Sequence, residues 1–307
     1  MHANRQSQIE RHLRNRHRMT AAIRAFFDHR DYLEVETPVR IPAPAPEAHI
    51  EPVPSADWYL QTSPELCMKR LLAAGYPRVY QICRCFRQGE RGRRHLPEMT
   101  LLEWYTAHAD YRDMMAQTEA LILSVADVLL DGGRTLVYQG RPVDLSPPWE
   151  RVRVADAFER YAGVSLRQAV DRGDFDARMG LDIESRLGAP RPVFLMDYPA
   201  AHGALARRKS NQPEEVERFE LYIAGLELCN AFSELTDAGE QRRRFDAERA
   251  ARRNAGKTLA PMPEPFLKDL AGLPPCTGNA LGVDRLAMLF ADAAEIDAVS
   301  AFVPEEL

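Results

Sequence analysis

The chain has 307 residues, 45% of them hydrophobic and 28% charged, an ordinary globular composition with length enough to bury a large core. Its formal net charge of -5 gives no overall basic field of the kind that gathers nucleic acid. No apolar stretch approaches the length of a membrane helix, and the basic, polar start from Met1 to Thr20 lacks the apolar core of a signal peptide. Cys67, Cys83, Cys85, Cys229 and Cys276 form no Cys-x-x-Cys pair and no zinc-ligand spacing. They read as small packing groups in a reducing cytoplasm. Basic clusters at Arg5 to Arg18, Arg91 to Arg94, Arg207 to Lys209 and Arg242 to Arg253 read first as solvated surface.

In chain order, Ile9, Leu13, Met19, Ile23, Phe26 and Phe27 fall at helical spacings and predict one long amphipathic helix over Gln8 to Arg30. Tyr32 to Pro38 follows as a short strand ended by proline. The proline-rich run from Ile41 to Pro54 fits an ordered connecting loop, although its composition also permits a flexible linker. A helix starts at Ser63-Pro64-Glu65, where serine can cap and proline suits the first position, and exits at Gly75. Strands follow at about Arg78 to Arg87 and at Met99 to Tyr105, with the polar loop Gln88 to Leu96 between them. From about 110 to 190 helical apolar patterns alternate with turns, which predicts a helical insertion. Phe219 to Thr236 reads as a hairpin around Ala224-Gly225. Gly278 to Leu281 leads into a helix holding Asp284, Arg285, Leu286 and Leu289. Antiparallel strands flanked by helices make the fold class α+β.

Three places carry candidate chemistry. Arg87 ends one strand and His95 closes the loop after it, a pair of cations suited to clamping phosphate. The two-residue period puts Met99, Leu101, Glu103 and Tyr105 on one face of the returning strand. On a surface hairpin the same residues would simply face water. In the second hairpin, Asn230, Phe232 and Glu234 share a face, and Glu220 and Glu227 could meet across the arms. Two carboxylates beside a triphosphate suit Mg²⁺, which takes oxygen ligands. Glu227 and Asn230 are three apart, so they serve one site only if the strand bulges between them. Cross-strand surface charge is the plain alternative. In the third place, the glycines of Gly278 to Gly282 would let a ligand approach the backbone, and Arg285 adds a cation in the first turn of a helix.

Together these stretches resemble the class II aminoacyl-tRNA synthetases. Phe26 to Pro38 looks like motif 1, the dimer-forming helix and strand. Arg87 through Tyr105 looks like motif 2, Phe-Arg followed by a loop and His-x-Pro-Glu-x-Thr-x-Leu-Glu. Gly278 to Leu286 looks like motif 3. The resemblance covers nearly the whole chain and implies a single catalytic domain over 1–307, with an antiparallel sheet flanked by helices. It implies activation of an amino acid with ATP to an aminoacyl-adenylate and pyrophosphate. Arg87 would hold the α-phosphate, His95 and Arg285 the outer phosphates, and Glu220 and Glu227 the Mg²⁺. Gln88, Gly89, Glu90, Leu96, Met99, Leu228 and Gly282 would complete the ATP site.

The side-chain pocket resembles that of the lysyl group. Thr62-Ser63-Pro64-Glu65 is similar to a segment in which aspartyl and asparaginyl enzymes carry Gln at the place of Glu65. Glu65, Glu103, Tyr105, Asn230, Phe232 and Glu234 would meet the amino acid. Several carboxylates suit a substrate with ammonium groups and repel the side chain of aspartate. Ala280 stands where lysyl-tRNA synthetases usually have Gly. The first ~40 residues are too few for the five-stranded anticodon-binding barrel of those enzymes, so no anticodon domain is expected. These features, with Phe232 to Asp237 and Cys276 to Gly282, resemble the elongation factor P–(R)-β-lysine ligase family. That resemblance implies lysine or β-lysine as substrate, elongation factor P as acceptor rather than tRNA, and a cytoplasmic homodimer without membrane attachment. The chain departs from the motif 2 pattern at Gly89, where Glu is usual, at Leu96, where Asn is common, and at Met99, where an adenine-stacking Phe is common.

Overall fold

The computed structural model describes residues 4–307. The predicted first helix is broken. Asn4 caps a single turn, Arg5–Gln8, and α1 then runs Glu10–Asp28, burying Met19, Ala22, Ile23, Phe26 and Phe27 along one stripe. After it come β1 (Leu33–Glu34) and a small three-stranded sheet formed by Arg40–Ile41, Pro54–Ser55 and Trp58–Leu60. In α2 (Glu65–Ala73), Ser63 Oγ accepts from the Glu65 N–H at 3.0 Å, as a cap should, and Gly75 exits at φ +99°.

The framework of the site is β2 (Arg78–Phe86), β3 (Glu98–Ala107), α3 (Tyr111–Leu129), β4 (Glu150–Arg153), β5 (Val193–Pro199), β6 (Glu215–Ile223), β7 (Leu226–Ser233), α4 (Ala238–Asn254), β8 (Cys276–Gly282) and α5 (Val283–Phe290). Among the described residues the main sheet has eight strands in the order β1-β2-β3-β8-β7-β6-β5-β4. Its six inner strands are antiparallel, but both edge strands pair parallel to their neighbours.

Two expectations change. The 110–190 segment is not only helical: it supplies β4 and a hairpin, Thr135–Tyr138 with Arg141–Asp144. That turn uses positive φ at both Gln139 and Gly140, and a Gln at the first place hides the usual Asn-Gly or Asp-Gly signal. Gly278 to Leu281 does lead into the helix, but its glycines, expected to leave backbone open to a ligand, lie in the middle of β8, paired on both sides.

Alternation divides the sheet cleanly. Leu102, Trp104, Leu221, Cys229, Ala231 and Leu281 join α1, α3 and α5 in one core, where Phe27 stacks on Tyr80 at 4.5 Å. Asp284, in the first turn of α5, accepts from the Thr100 N–H at 2.7 Å and pairs with Arg16 at 2.5 Å, tying β3 and α1 to this helix. The opposite face carries the polar residues of interest. No helix among the described residues is long and apolar enough to cross a membrane.

Candidate active site

The register of the central strands lays the site residues out in two transverse rows. Glu220, Asn230, Ala280, Glu103 and Gln81 are consecutive partners across β6, β7, β8, β3 and β2. Arg218, Phe232, Gly278, Tyr105 and Val79 form the row beside it. A Cβ on Gly278 would lie 2.3 Å from the Tyr105 ring and 2.5 Å from Glu234 Oε1. This glycine makes room for the site's own side chains, not for a ligand as its sequence context suggests.

Against these rows packs a buried cluster of acids. Ser63 donates to Glu103 Oε1 at 2.6 Å, and Tyr105 donates to Glu103 Oε2 at 2.8 Å. Glu65 and Glu234 both touch the ammonium of Lys69, which stands 5.2 Å from the Phe232 ring centre. Glu234 Oε2 pairs with Lys69, and among the described residues Glu234 Oε1 has no hydrogen-bond partner. Burial, with Glu65 nearby, pushes the Glu103 carboxyl up to about 7. Burial pushes Glu234 up to about 8, even against the pull of Lys69. Burial works against the charge on Lys69, yet Glu234 and Glu65 hold its pKa above the usual lysine range. Three carboxylates face one ammonium here, so the cluster retains room for further positive charge.

Beside it opens a cavity of about 500 Å³ lined by Arg87, Glu90, His95, Met99, Glu227 and Arg285, with Gly89, Leu96, Leu228, Asn230, Ala280 and Gly282 completing the walls. Among the described residues Arg87 Nε is buried without a hydrogen-bond partner, and the side chain pairs with Glu90 at 3.9 Å. Arg285 donates to the Glu227 carboxylate at 3.0 Å and to its carbonyl at 2.9 Å, and meets His95 Nε2 at 2.5 Å. Burial and the Arg285 charge lower the His95 pKa from its ordinary value. His95 is therefore neutral and accepts from Arg285, not the standing cation that its place in the loop suggests. Gly89 turns at φ +78°, a conformation that a Glu would adopt under strain, and the next residue, Glu90, supplies the carboxylate beside Arg87. Gln88 lies apart: it lines a neighbouring cleft with Glu51 and Lys257, and its N–H donates to the Glu51 carbonyl at 2.8 Å.

The strand bulge that Glu227 and Asn230 require is present. Leu221 pairs with Cys229 but Tyr222 with Glu227, so Leu228 is the extra residue. Glu220 and Glu227 are not register partners. Glu220 accepts from Tyr198 at 2.6 Å, Tyr222 at 2.7 Å and Arg218 at 2.6 Å, and burial raises its pKa. Among the described residues no three His, Cys, Asp or Glu gather as a metal site. Two carboxylates with some free acceptor capacity fit a Mg²⁺ that keeps phosphate oxygens as ligands, and do not fit a free-standing one.

Phosphate-type cations, a bulged acidic hairpin and the strand-to-helix turn at Gly282 thus meet on one antiparallel sheet, and a family model for class II tRNA synthetases (D, K and N) spans residues 1–306. The chain belongs to this family. It is 36% identical to a lysine–tRNA ligase of Magnetococcus marinus, across 96% of this chain and 64% of that protein. Lysine–tRNA ligases of Nostoc sp. and Moorella thermoacetica are each 39% identical, across 96% and 94% of this chain and 57% and 64% of theirs. The chain spans about three fifths of the length of these curated relatives.

Within this synthetase fold, the residues expected to hold phosphate gather at the open cavity. Those expected to hold the amino acid split. Asn230 and Ala280 line the cavity, whereas Glu65, Glu103, Tyr105 and Glu234 close on one another behind it. Sequence reasoning missed Lys69, Arg218, Gln81 and Glu47. Lys69 lies one turn after Glu65, a helical spacing that could have flagged it. Gln81 follows from β2 periodicity and is buried with its Oε1 unpartnered.

Proposed function

We propose that this synthetase-family chain activates a lysine-type amino acid with ATP, using Mg²⁺, and passes it to a lysine side chain of elongation factor P. The observation that carries the substrate class is the cluster of buried Glu103 and Glu234 with largely covered Glu65, next to Arg87, whose Nε has no hydrogen-bond partner. An amino acid with two ammonium groups brings the positive charge that the cluster lacks, and its carboxylate faces Arg87 and Asn230. The carboxylate oxygen then attacks the α-phosphorus of ATP, and pyrophosphate leaves. Arg87 offers two parallel donors to the α-phosphate. Arg285 is positioned to exchange its contacts with Glu227 and His95 for the outer phosphates. Glu227 and Glu220 would hold Mg²⁺, which would supply charge neutralisation to the triphosphate. Leu96 and Met99 offer apolar surface for the adenine, with a thioether in place of a stacking ring.

(R)-β-lysine as the isomer rests on Ala280, whose methyl lies in register between Asn230 and Glu103 and would crowd an α-amino group more than a β-amino group. A homodimer through α1 and β1 fits the exposed Leu33 and Val39. The second reading, transfer to tRNA, is favoured by the names of the relatives. Labelled β-lysine, ATP, elongation factor P and total tRNA, run in parallel, test the choice. Label should appear on the protein and vanish when its target lysine becomes Ala. Label on tRNA alone contradicts the proposal.

A further inference from the structure

The loop between Arg40–Ile41 and Pro54–Ser55 has no regular structure of its own, yet α4 and the residues after it clamp its backbone. Arg252, almost fully buried, donates to the carbonyls of Glu47 at 3.0 Å and Ile50 at 2.8 Å and to the Glu51 carboxylate at 2.8 Å. Lys257 donates to the Ala48 carbonyl at 2.7 Å, and Glu248 accepts from the Ala48 N–H at 2.7 Å. This is a large investment of polar groups in one turn of chain, and it presents the Glu47 side chain to the cavity wall.

The carboxylates lining that cavity otherwise have cationic neighbours. Glu90 faces Arg87, Glu227 pairs with Arg285, and Asp284 pairs with Arg16. Among the described residues, the Glu47 carboxylate makes no hydrogen bond and no ion pair. Four charged groups face it at longer range: Arg87 at the end of β2, Glu65 on α2, Glu248 on α4 and Arg218 on β6. Burial pushes its carboxyl up to about 7, where it still holds a substantial ionised fraction at neutral pH. Its position differs from that of the acid cluster. Glu103 and Glu234 are sealed, whereas Glu47 is half-buried and reachable by a group entering from solvent. Glu47 thus lines the same solvent-open cavity as Arg87, where the activated carboxyl would be held.

We infer that Glu47 is the carboxylate that receives the acceptor lysine and takes its proton in the transfer step, an inference that rests on the function proposed above. The acceptor arrives as an ammonium, which has no lone pair. Glu47 pairs with it and removes one proton. The freed nitrogen attacks the carbonyl carbon of the adenylate and forms the C–N bond. The C–O bond to phosphate breaks, its electron pair leaves with AMP, and the second nitrogen proton passes to water. Arg252 is a positioning residue in this account, acting through the loop.

Glu47→Gln keeps the shape of the side chain and removes the base. Transfer to elongation factor P should fall by about 100-fold relative to pyrophosphate exchange by the same preparation. Raising the pH, which frees the acceptor amine without help, should recover it. Hydroxylamine, already neutral at neutral pH, should escape the loss when it replaces the protein acceptor, an outcome that a merely structural defect would not give. Equal falls in exchange and transfer would overturn the inference and make Glu47 a ligand of the amino acid instead. An unchanged ratio of transfer to exchange would also overturn it. If the unsubstituted enzyme exchanges pyrophosphate but labels no protein lysine, the transfer reading itself fails, and this inference falls with it.

Discussion

The two halves of the site handle charge in opposite ways. In the half proposed for the amino acid, Glu103, Glu234 and Lys69 are buried and Glu65 is largely covered, three carboxyl groups around one ammonium. In the phosphate half, Arg285, His95, Glu227 and Glu90 are partly exposed, and each cation has an acceptor that it can release. Burial makes the first half selective, because a buried charge without a partner is costly and only the right ligand relieves it. Exposure makes the second half exchangeable, because pairs near solvent are weak enough to be swapped for phosphate oxygens.

Breaking the exchangeable half should give the largest effect. Glu227→Gln should lower pyrophosphate exchange by about 100-fold or more while raising the Mg²⁺ concentration needed, since it removes charge that faces the triphosphate. Near-normal exchange with ordinary Mg²⁺ dependence would remove Glu227 from the metal site. In the selective half, Glu234→Gln should weaken lysine-type substrates by about 1.5–3 kcal/mol, roughly 10- to 150-fold, with ATP affinity little changed. The opposite split would show that the halves are misassigned. Ala280→Gly, at their junction, should shift the preference between α-lysine and β-lysine toward α-lysine by about tenfold or less. An unchanged preference would move discrimination elsewhere.

The smallest effect sharpens the contrast through pH. The Glu103 and Glu234 carboxyls are raised to about 7 and about 8, above the ordinary carboxylate value. Their protonated forms are favoured in the folded chain, so the stability they contribute is complete in acid and is lost as pH rises through this range. The melting temperature of the ligand-free chain should therefore fall from about pH 4.5 to about pH 8, and less so with a bound diamino acid, whose ammonium groups replace the protons. Equal falls with and without ligand would argue against the cluster as the ammonium site.

How much of this was legible in the sequence follows from the range of each interaction. Helix caps, the Ala224-Gly225 turn and the face shared by Glu103 and Tyr105 are local and could be read directly. The bulge was legible as a requirement, because Glu227 and Asn230 cannot otherwise share a face. The parallel edges were not legible, since β1 and β4 find their partners only in the assembled sheet. Nor was Glu47, because neither its type nor its spacing distinguishes it from a surface residue, and Lys69 offered only its helical spacing from Glu65. Their roles depend on burial against elements far away in sequence, such as Arg252, about 200 residues from the loop it holds.

The central claim is that the buried acids select a substrate with two ammonium groups for adenylation. Amino-acid-dependent exchange of pyrophosphate into ATP, run with β-lysine, α-lysine and aspartate on the same preparation, tests it most directly. The account predicts exchange with a lysine isomer, strongest with (R)-β-lysine, and none above background with aspartate. Exchange supported by aspartate, or by neither lysine isomer, would contradict it.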